Sequence, residues 1–311
     1  MRILPRGEIE SLERTRIARL RFPEPAGVFS DRASRLRSLA ESSPLAEYLK
    51  LMAVLADAQQ RALREFTPPA PDARQVEQSF EHNMPPLQPA TAPRNAPAVL
   101  GLLARLLDDV IKADGVPAAA AEACAALRER VDSAPGEIEE IADALLAAGY
   151  DSVDVDPAAA PFVMAALQVY WTGMAEAFDQ DKVPSGPFGV CPVCGTPPVA
   201  SVVRIGGKYD GYRYLCCPLC SVETHLVRVT CSHCSETKGI AYHHIEGGSE
   251  AIKAETCESC KSYRKIFYQN KDQFVEPVAD DLASLALDVL MGEEGYTRVS
   301  SNPLLWQARG D

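Results

Sequence analysis

No run of about 18 apolar residues occurs in the 311-residue chain, so a membrane-spanning helix is excluded. The opening MRILPRGEIE lacks the apolar stretch of a secretory signal, and the chain is expected to stay where it is made. Basic charge is also short. Lys and Arg number 31 against 43 Asp and Glu, a formal net charge of −12. Nucleic-acid binders carry a basic footprint, and phosphate backbones would on balance be repelled. No phosphate-binding Gly-rich loop, no G-x-S-x-G and no H-E-x-x-H is present. The chain is therefore expected not to be an enzyme.

Charge is spread unevenly. Residues 107–181 hold sixteen acidic residues against Lys112, Arg128 and Arg130, whereas residues 1–37 hold nine Arg and five acidic residues. Such runs are most simply solvated helix faces; the sharper reading is an acidic docking surface for a basic segment.

The first 182 residues read as an all-α domain. Ser43-Pro44 is a helix start, a hydroxyl cap followed by proline at the first helical position. Leu45, Leu49, Met52, Leu55, Ala56 and Leu63 follow at helical spacing, and Pro68, Pro69 and Pro71 end the element near Phe66. A proline-rich connection covers about 81–97. Further helices are expected over about 97–113, 117–131, 136–148 and 158–179. Cys124 is expected to be a small buried apolar residue.

Texture changes after Asp179, where DQDKVPSGPFG marks a boundary. Short runs rich in Val, Ile and Tyr follow at 199–205, 212–215, 224–230, 240–245 and 263–268, and predict strands. A helix is expected at about 279–291, with Asp280 or Asp281 suiting its dipole.

Eight of the ten cysteines form four C-x-x-C pairs: Cys191/Cys194, Cys217/Cys220, Cys231/Cys234 and Cys257/Cys260. The intervening segments are 22, 10 and 22 residues, so the second half repeats the first at an offset of forty. Two cysteines three apart can turn both sulfurs toward one ion on a tight backbone knuckle. Two knuckles supply a tetrahedral thiolate site. Units of this size hold too little apolar core to fold alone, which makes the ion a direct source of folding energy. The expected metal ligands are Cys191, Cys194, Cys217 and Cys220 in one site and Cys231, Cys234, Cys257 and Cys260 in the other. A cross-braced pairing of the first knuckle with the third, and a set of redox dithiols or disulfides, are the alternatives.

Cys216 is expected to be packed or free, and His225, His233, His243 and His244 are expected not to ligate, because four thiolates close the shell. Spacing does not choose between iron and zinc. The opening Cys191-Pro192-Val193-Cys194-Gly195 resembles a rubredoxin knuckle and tilts the expectation to iron, with zinc as the alternative.

The expected fold is thus α plus small β. An N-terminal helical domain (1–182) precedes two tandem rubredoxin-like or zinc-ribbon-like modules (183–226 and 227–271) and a C-terminal helix and tail (272–311).

Several stretches resemble the formate dehydrogenase accessory protein family, FdhE. They are Arg213-Tyr214-Leu215, Val227-Arg228-Val229, ADDLASLALD at 279–288, Gly295-Tyr296-Thr297-Arg298 and Asn302-Pro303, joined by RLRSLAESSPLAEYL at 35–49. The chain departs from the family in Thr224, where an aromatic residue often precedes the histidine, and Cys216 is not demanded by the pattern. The resemblance implies a cytoplasmic maturation factor. Such a factor binds the catalytic subunit of respiratory formate dehydrogenase before export, is needed for its activity, and carries metal modules similar to iron-binding rubredoxins. Competing expectations are a one-electron carrier and, less favoured by charge, a zinc-ribbon nucleic-acid binder.

Overall fold

The computed structural model describes residues 17–90, 94–147 and 155–305. Seven α-helices precede residue 176 among the described residues: α1 (Val28–Ala40), α2 (Ala46–Glu65), α3 (Ala73–Glu81), α4 (Ala96–Ile111), α5 (Ala118–Ser133), α6 (Pro135–Ala147) and α7 (Ala160–Ala175). Every residue of α7 is buried. A helix apolar all round belongs inside, and α2, α4 and α6 pack around it. In α4, burial of Val99, Leu102, Leu103, Leu106, Leu107 and Val110 is worth on the order of 10 kcal/mol before chain entropy. Packing, not local propensity, therefore holds this helix.

Ser43 does not cap α2 directly. Its hydroxyl accepts from the Leu45 amide at 3.1 Å and its carbonyl from Ala46, making a turn that delays the helix to Ala46. The helix ends as expected, with Phe66 extended ahead of the prolines. The expected end of α6 at 148 lies outside the described residues. Helix α3 is absent from the sequence expectations, yet Asp72 caps it: its carboxylate accepts from the Gln75 amide at 2.9 Å.

The strands are β1 (Leu20–Arg21), β2 (Ala200–Val203), β3 (Arg213–Cys216), β4 (Glu223–His225), β5 (Ile240–His243), β6 (Ile252–Cys257), β7 (Ser262–Tyr268) and β8 (Thr297–Arg298). They form one sheet in the order β1-β4-β3-β2-β7-β6-β5, with β8 on β7. Each cysteine unit contributes an antiparallel three-stranded meander. The meanders join through a parallel pairing of β2 with β7, Val202 opposite Phe267. The tandem units thus share a sheet and are not beads on a string. β6 was missed because IKAET has little β-propensity; the forty-residue repeat, applied to β3, would have placed it.

The cores are unequal. Cys191, Val193, Cys194, Cys217, Leu219, Cys220 and Val222 belong to the same apolar cluster as the helical domain. The second unit has a satellite cluster of only Ala254, Tyr263, Leu287 and Met291.

The single C-terminal helix expected at 279–291 is two helices, α8 (Pro277–Ala283) and α9 (Leu285–Glu293). The cause is Lys265. Its buried ammonium donates to the Asp281 carbonyl (2.8 Å), the Ser284 carbonyl (3.1 Å) and Ser284 Oγ (3.1 Å), taking up the acceptors at the end of α8.

Candidate metal centres

All four knuckles have one backbone construction. The residue after each second cysteine is left-handed: Gly195 (φ 75), Ser221 (φ 59), Ser235 (φ 64) and Lys261 (φ 52). The amides of Cys191, Cys217 and Cys231 donate to the carbonyls of Thr196, Val222 and Glu236, five residues on, at 2.9, 3.0 and 2.8 Å. Cys257 stands opposite Ser262 in the same way. A non-glycine residue costs about 1–2 kcal/mol in this region. Ligation of a tetrahedral ion, worth about 10–16 kcal/mol in zinc-finger peptides, would offset the three such residues.

The turns bring the eight sulfurs into two groups of four, within each of which the ligand atoms lie within 4.8 Å of one another. The first knuckle meets the second and the third meets the fourth; no cross-braced group forms. Cys191 and Cys220 sulfurs are 3.5 Å apart and Cys194 and Cys217 3.4 Å. Cys231–Cys260 and Cys234–Cys257 are each 3.7 Å. A tetrahedron with metal–sulfur bonds of about 2.3 Å has edges of about 3.8 Å, so both donor sets fit a zinc or iron ion. A disulfide would need about 2.05 Å, and all ten cysteines are free. No histidine joins either group among the described residues. His233 is exposed, His225 packs edge-on to Tyr212 and Tyr214, and His243 Nε2 lies 3.1 Å from Thr256 Oγ1.

The first centre is sealed by the helical domain. Gln168 of α7 donates to the Pro218 carbonyl inside the second knuckle at 2.7 Å. Val193, inside the first knuckle, accepts from the Leu87 amide at 2.9 Å, and the Leu87 carbonyl accepts from Trp171 at 2.9 Å. Residues 85–88 of the proline-rich connection therefore cover this centre. Burial pushes the Cys217 and Cys220 thiols well up. Burial also raises Cys194, but hydrogen bonding with the other three cysteines and Thr196 outweighs it and brings that thiol well down. An ion held here would take the four sulfurs as thiolates.

The second centre lies open on one side. Cys231 and Cys257 are buried, Cys260 is half-buried and Cys234 is exposed. Burial raises the Cys260 thiol, but hydrogen bonding with Ser262, whose hydroxyl is 3.0 Å away, brings it to about 7.

Cys216 is buried on β3 with its thiol raised well above the usual range by burial, and it joins neither group. It lines a cleft of about 700 Å³ between α1, the second knuckle and residues 269–278. There Arg21 and Arg204 both pair with Glu223. Cys124 is buried in α5, its thiol pushed up to about 11 by burial. In the acidic segment, Arg128 pairs with Asp108 and Asp132, and Arg130 with Glu137 and Asp156.

Behind the centres lies a buried ionic network that no local sequence pattern announces. Arg213 is fully buried and reaches Glu255 at 2.7 Å, Ser201 Oγ at 3.0 Å and the Thr230 carbonyl at 3.0 Å, bridging the two units. Asp281 accepts from Arg298 at 2.6 Å through each oxygen and from Asn302 at 2.8 Å. Asp280 accepts from Arg35 of α1 at 2.9 and 2.6 Å.

Comparison with known proteins agrees over the whole chain. Residues 17–186 match the family model of the FdhE N-terminal region, 190–228 the FdhE central domain and 229–305 the FdhE C-terminal domain. An FdhE homolog of Cronobacter sakazakii is 39% identical over 318 residues, covering 100% of this chain and 99% of that one. Protein FdhE of Escherichia coli is 38% identical over 321 residues with the same coverage. The crystal structure of the FdhE protein from Pseudomonas aeruginosa superposes with a TM-score of 0.77 at 36% identity, covering 94% of this chain and 100% of that chain. Matched along its length in sequence and in fold, the chain belongs to the FdhE family.

Proposed function

We propose that this chain is a maturation factor for respiratory formate dehydrogenase. It binds the enzyme's immature catalytic subunit in the cytoplasm and is not itself an enzyme. The observation that carries this reading is the full-length match to FdhE proteins, with all eight C-x-x-C sulfurs gathered in two fours. A closed four-thiolate shell offers no position for substrate, which favours a binding role over hydrolysis. Among the described residues no helix is long and apolar enough to cross a membrane. Iron is the preferred ion on the rubredoxin-like first knuckle, with zinc the alternative. Co-purification of the immature catalytic subunit with the tagged, metal-loaded chain under reducing conditions tests the reading. Absence of association would refute it.

The open edge of the second centre favours a second reading, a one-electron carrier, since an exposed iron–thiolate bond shortens the path to a redox partner. A reversible iron couple in voltammetry is its expected signature, and redox silence excludes it.

A further inference from the structure

The two centres repeat each other in spacing, backbone turn and sulfur geometry, yet their surroundings differ. Around the first centre all four cysteines are buried, with Cys194 and Cys220 at 0% exposure. Reaching that ion requires parting the Leu87–Val193 bond, the Gln168–Pro218 bond and the apolar packing of Val193, Leu219 and Val222. Such an opening is sub-global, because it takes the helical core with it. At the second centre the third knuckle presents His233, Cys234 and Ser235 to solvent in succession, and Glu258 and Ser259 of the fourth knuckle are exposed as well. None of its four cysteines belongs to either apolar cluster. A ligand can approach this ion along the Cys234 edge without any part of the core moving.

We propose that the two centres have divided tasks. The centre of Cys231, Cys234, Cys257 and Cys260 is an exchangeable site that passes its ion to a soft, multidentate thiolate acceptor. The centre of Cys191, Cys194, Cys217 and Cys220 keeps its ion as part of the fold. The inference rests on reading both groups as metal sites. Transfer is ligand exchange with no change of oxidation state. An acceptor thiolate bonds to the divalent ion as the Cys234–metal bond breaks, and the freed Cys234 thiolate takes a proton from water. The step repeats at Cys260 and then at the two buried ligands. The acceptor must itself be sulfur-rich, because carboxylates and single imidazoles do not outcompete four thiolates for zinc or ferrous iron.

The full-length chain loaded with zinc, which is redox-silent, tests this against the dithiol chelator 2,3-dimercaptopropane-1-sulfonate, with released zinc read in filtered aliquots and with iodoacetamide alkylation and peptide mapping run in parallel without the chelator. The expected result is two release phases of one ion each, separated by about 100-fold in rate. Alkylation of Cys231, Cys234, Cys257 and Cys260 should accompany the fast phase, and that of the first four cysteines the slow one. A single phase for both ions overturns the proposal, as does a fast phase that maps to Cys191, Cys194, Cys217 and Cys220. A chain that takes up fewer than two zinc ions overturns the metal reading beneath it, and this shows in the loading step before any chelator is added.

Discussion

Asp280 and Asp281 are adjacent in sequence and fully buried, yet they are tied to different partners and should titrate in opposite directions. Burial pushes the Asp280 carboxyl up to about 6 despite its two bonds from Arg35. Burial also raises Asp281, but the charges of Arg298 and Lys265 and the hydrogen bonds of Arg298 and Asn302 outweigh it and hold the carboxyl below its usual range. Asp281→Asn leaves Lys265 and Arg298 facing one carboxylate fewer. Loss of one partner from a buried pair costs about 3–5 kcal/mol. Asp288 remains 2.7 Å from Lys265 and 3.0 Å from Arg298, so the lower end, about 3 kcal/mol, is expected at pH 7.

Asp280→Asn should cost less, about 1 kcal/mol, because Arg35 keeps Asp272 at 2.7 Å. The pH dependence separates the two. A folded pKa raised above the unfolded value contributes stability that is fully present below the unfolded pKa and is lost as pH rises through the folded one. Between pH 7 and pH 5 the wild type should therefore gain about 1 kcal/mol over Asp280→Asn. Asp281 has the opposite sign. Its contribution is present above about pH 4, is lost only as pH falls through its depressed folded value, and is flat between pH 7 and 5. Urea unfolding of the three metal-loaded proteins at both pH values is the assay. Equal costs for the two substitutions, or a gap between wild type and Asp280→Asn that does not move with pH, would refute the reasoning.

Two further substitutions probe the centres and the turn that leads to the second of them. Cys191→Ser should lose one of two bound ions and raise amide hydrogen exchange at Leu87, Gln88 and 219–221, because the first centre is bonded to Leu87 and to α7; unchanged metal content would contradict the ligand assignment. Val229, half-exposed two residues before Cys231, is a β-branched residue at φ 60, so Val229→Asn should stabilise the chain by about 1 kcal/mol, read as a higher urea midpoint at unchanged slope, and a lower midpoint would count against the strain.

The grouping of the eight sulfurs was legible because its cause is local. A C-x-x-C knuckle turns both sulfurs one way whatever surrounds it, and equal 22-residue spacers point to pairing within each unit. Helices with a broad apolar face, such as α4, were legible for the same reason. The family stretches were legible only as strings. Their physical meaning came with the fold: Arg35, Arg213, Asp280, Asp281, Asp288, Arg298 and Asn302, scattered over 35–302, meet in buried ion pairs and hydrogen bonds.

Chain order alone therefore specifies which sulfurs can meet, since C-x-x-C knuckles at fixed short spacing carry their geometry with them. Only the tertiary structure decided that the two repeats share one sheet, that Lys265 splits the last helix, and that one centre is walled in while its copy opens to solvent. Those outcomes depend on which distant surfaces pack together, and two units with the same spacing hold no record of their neighbours.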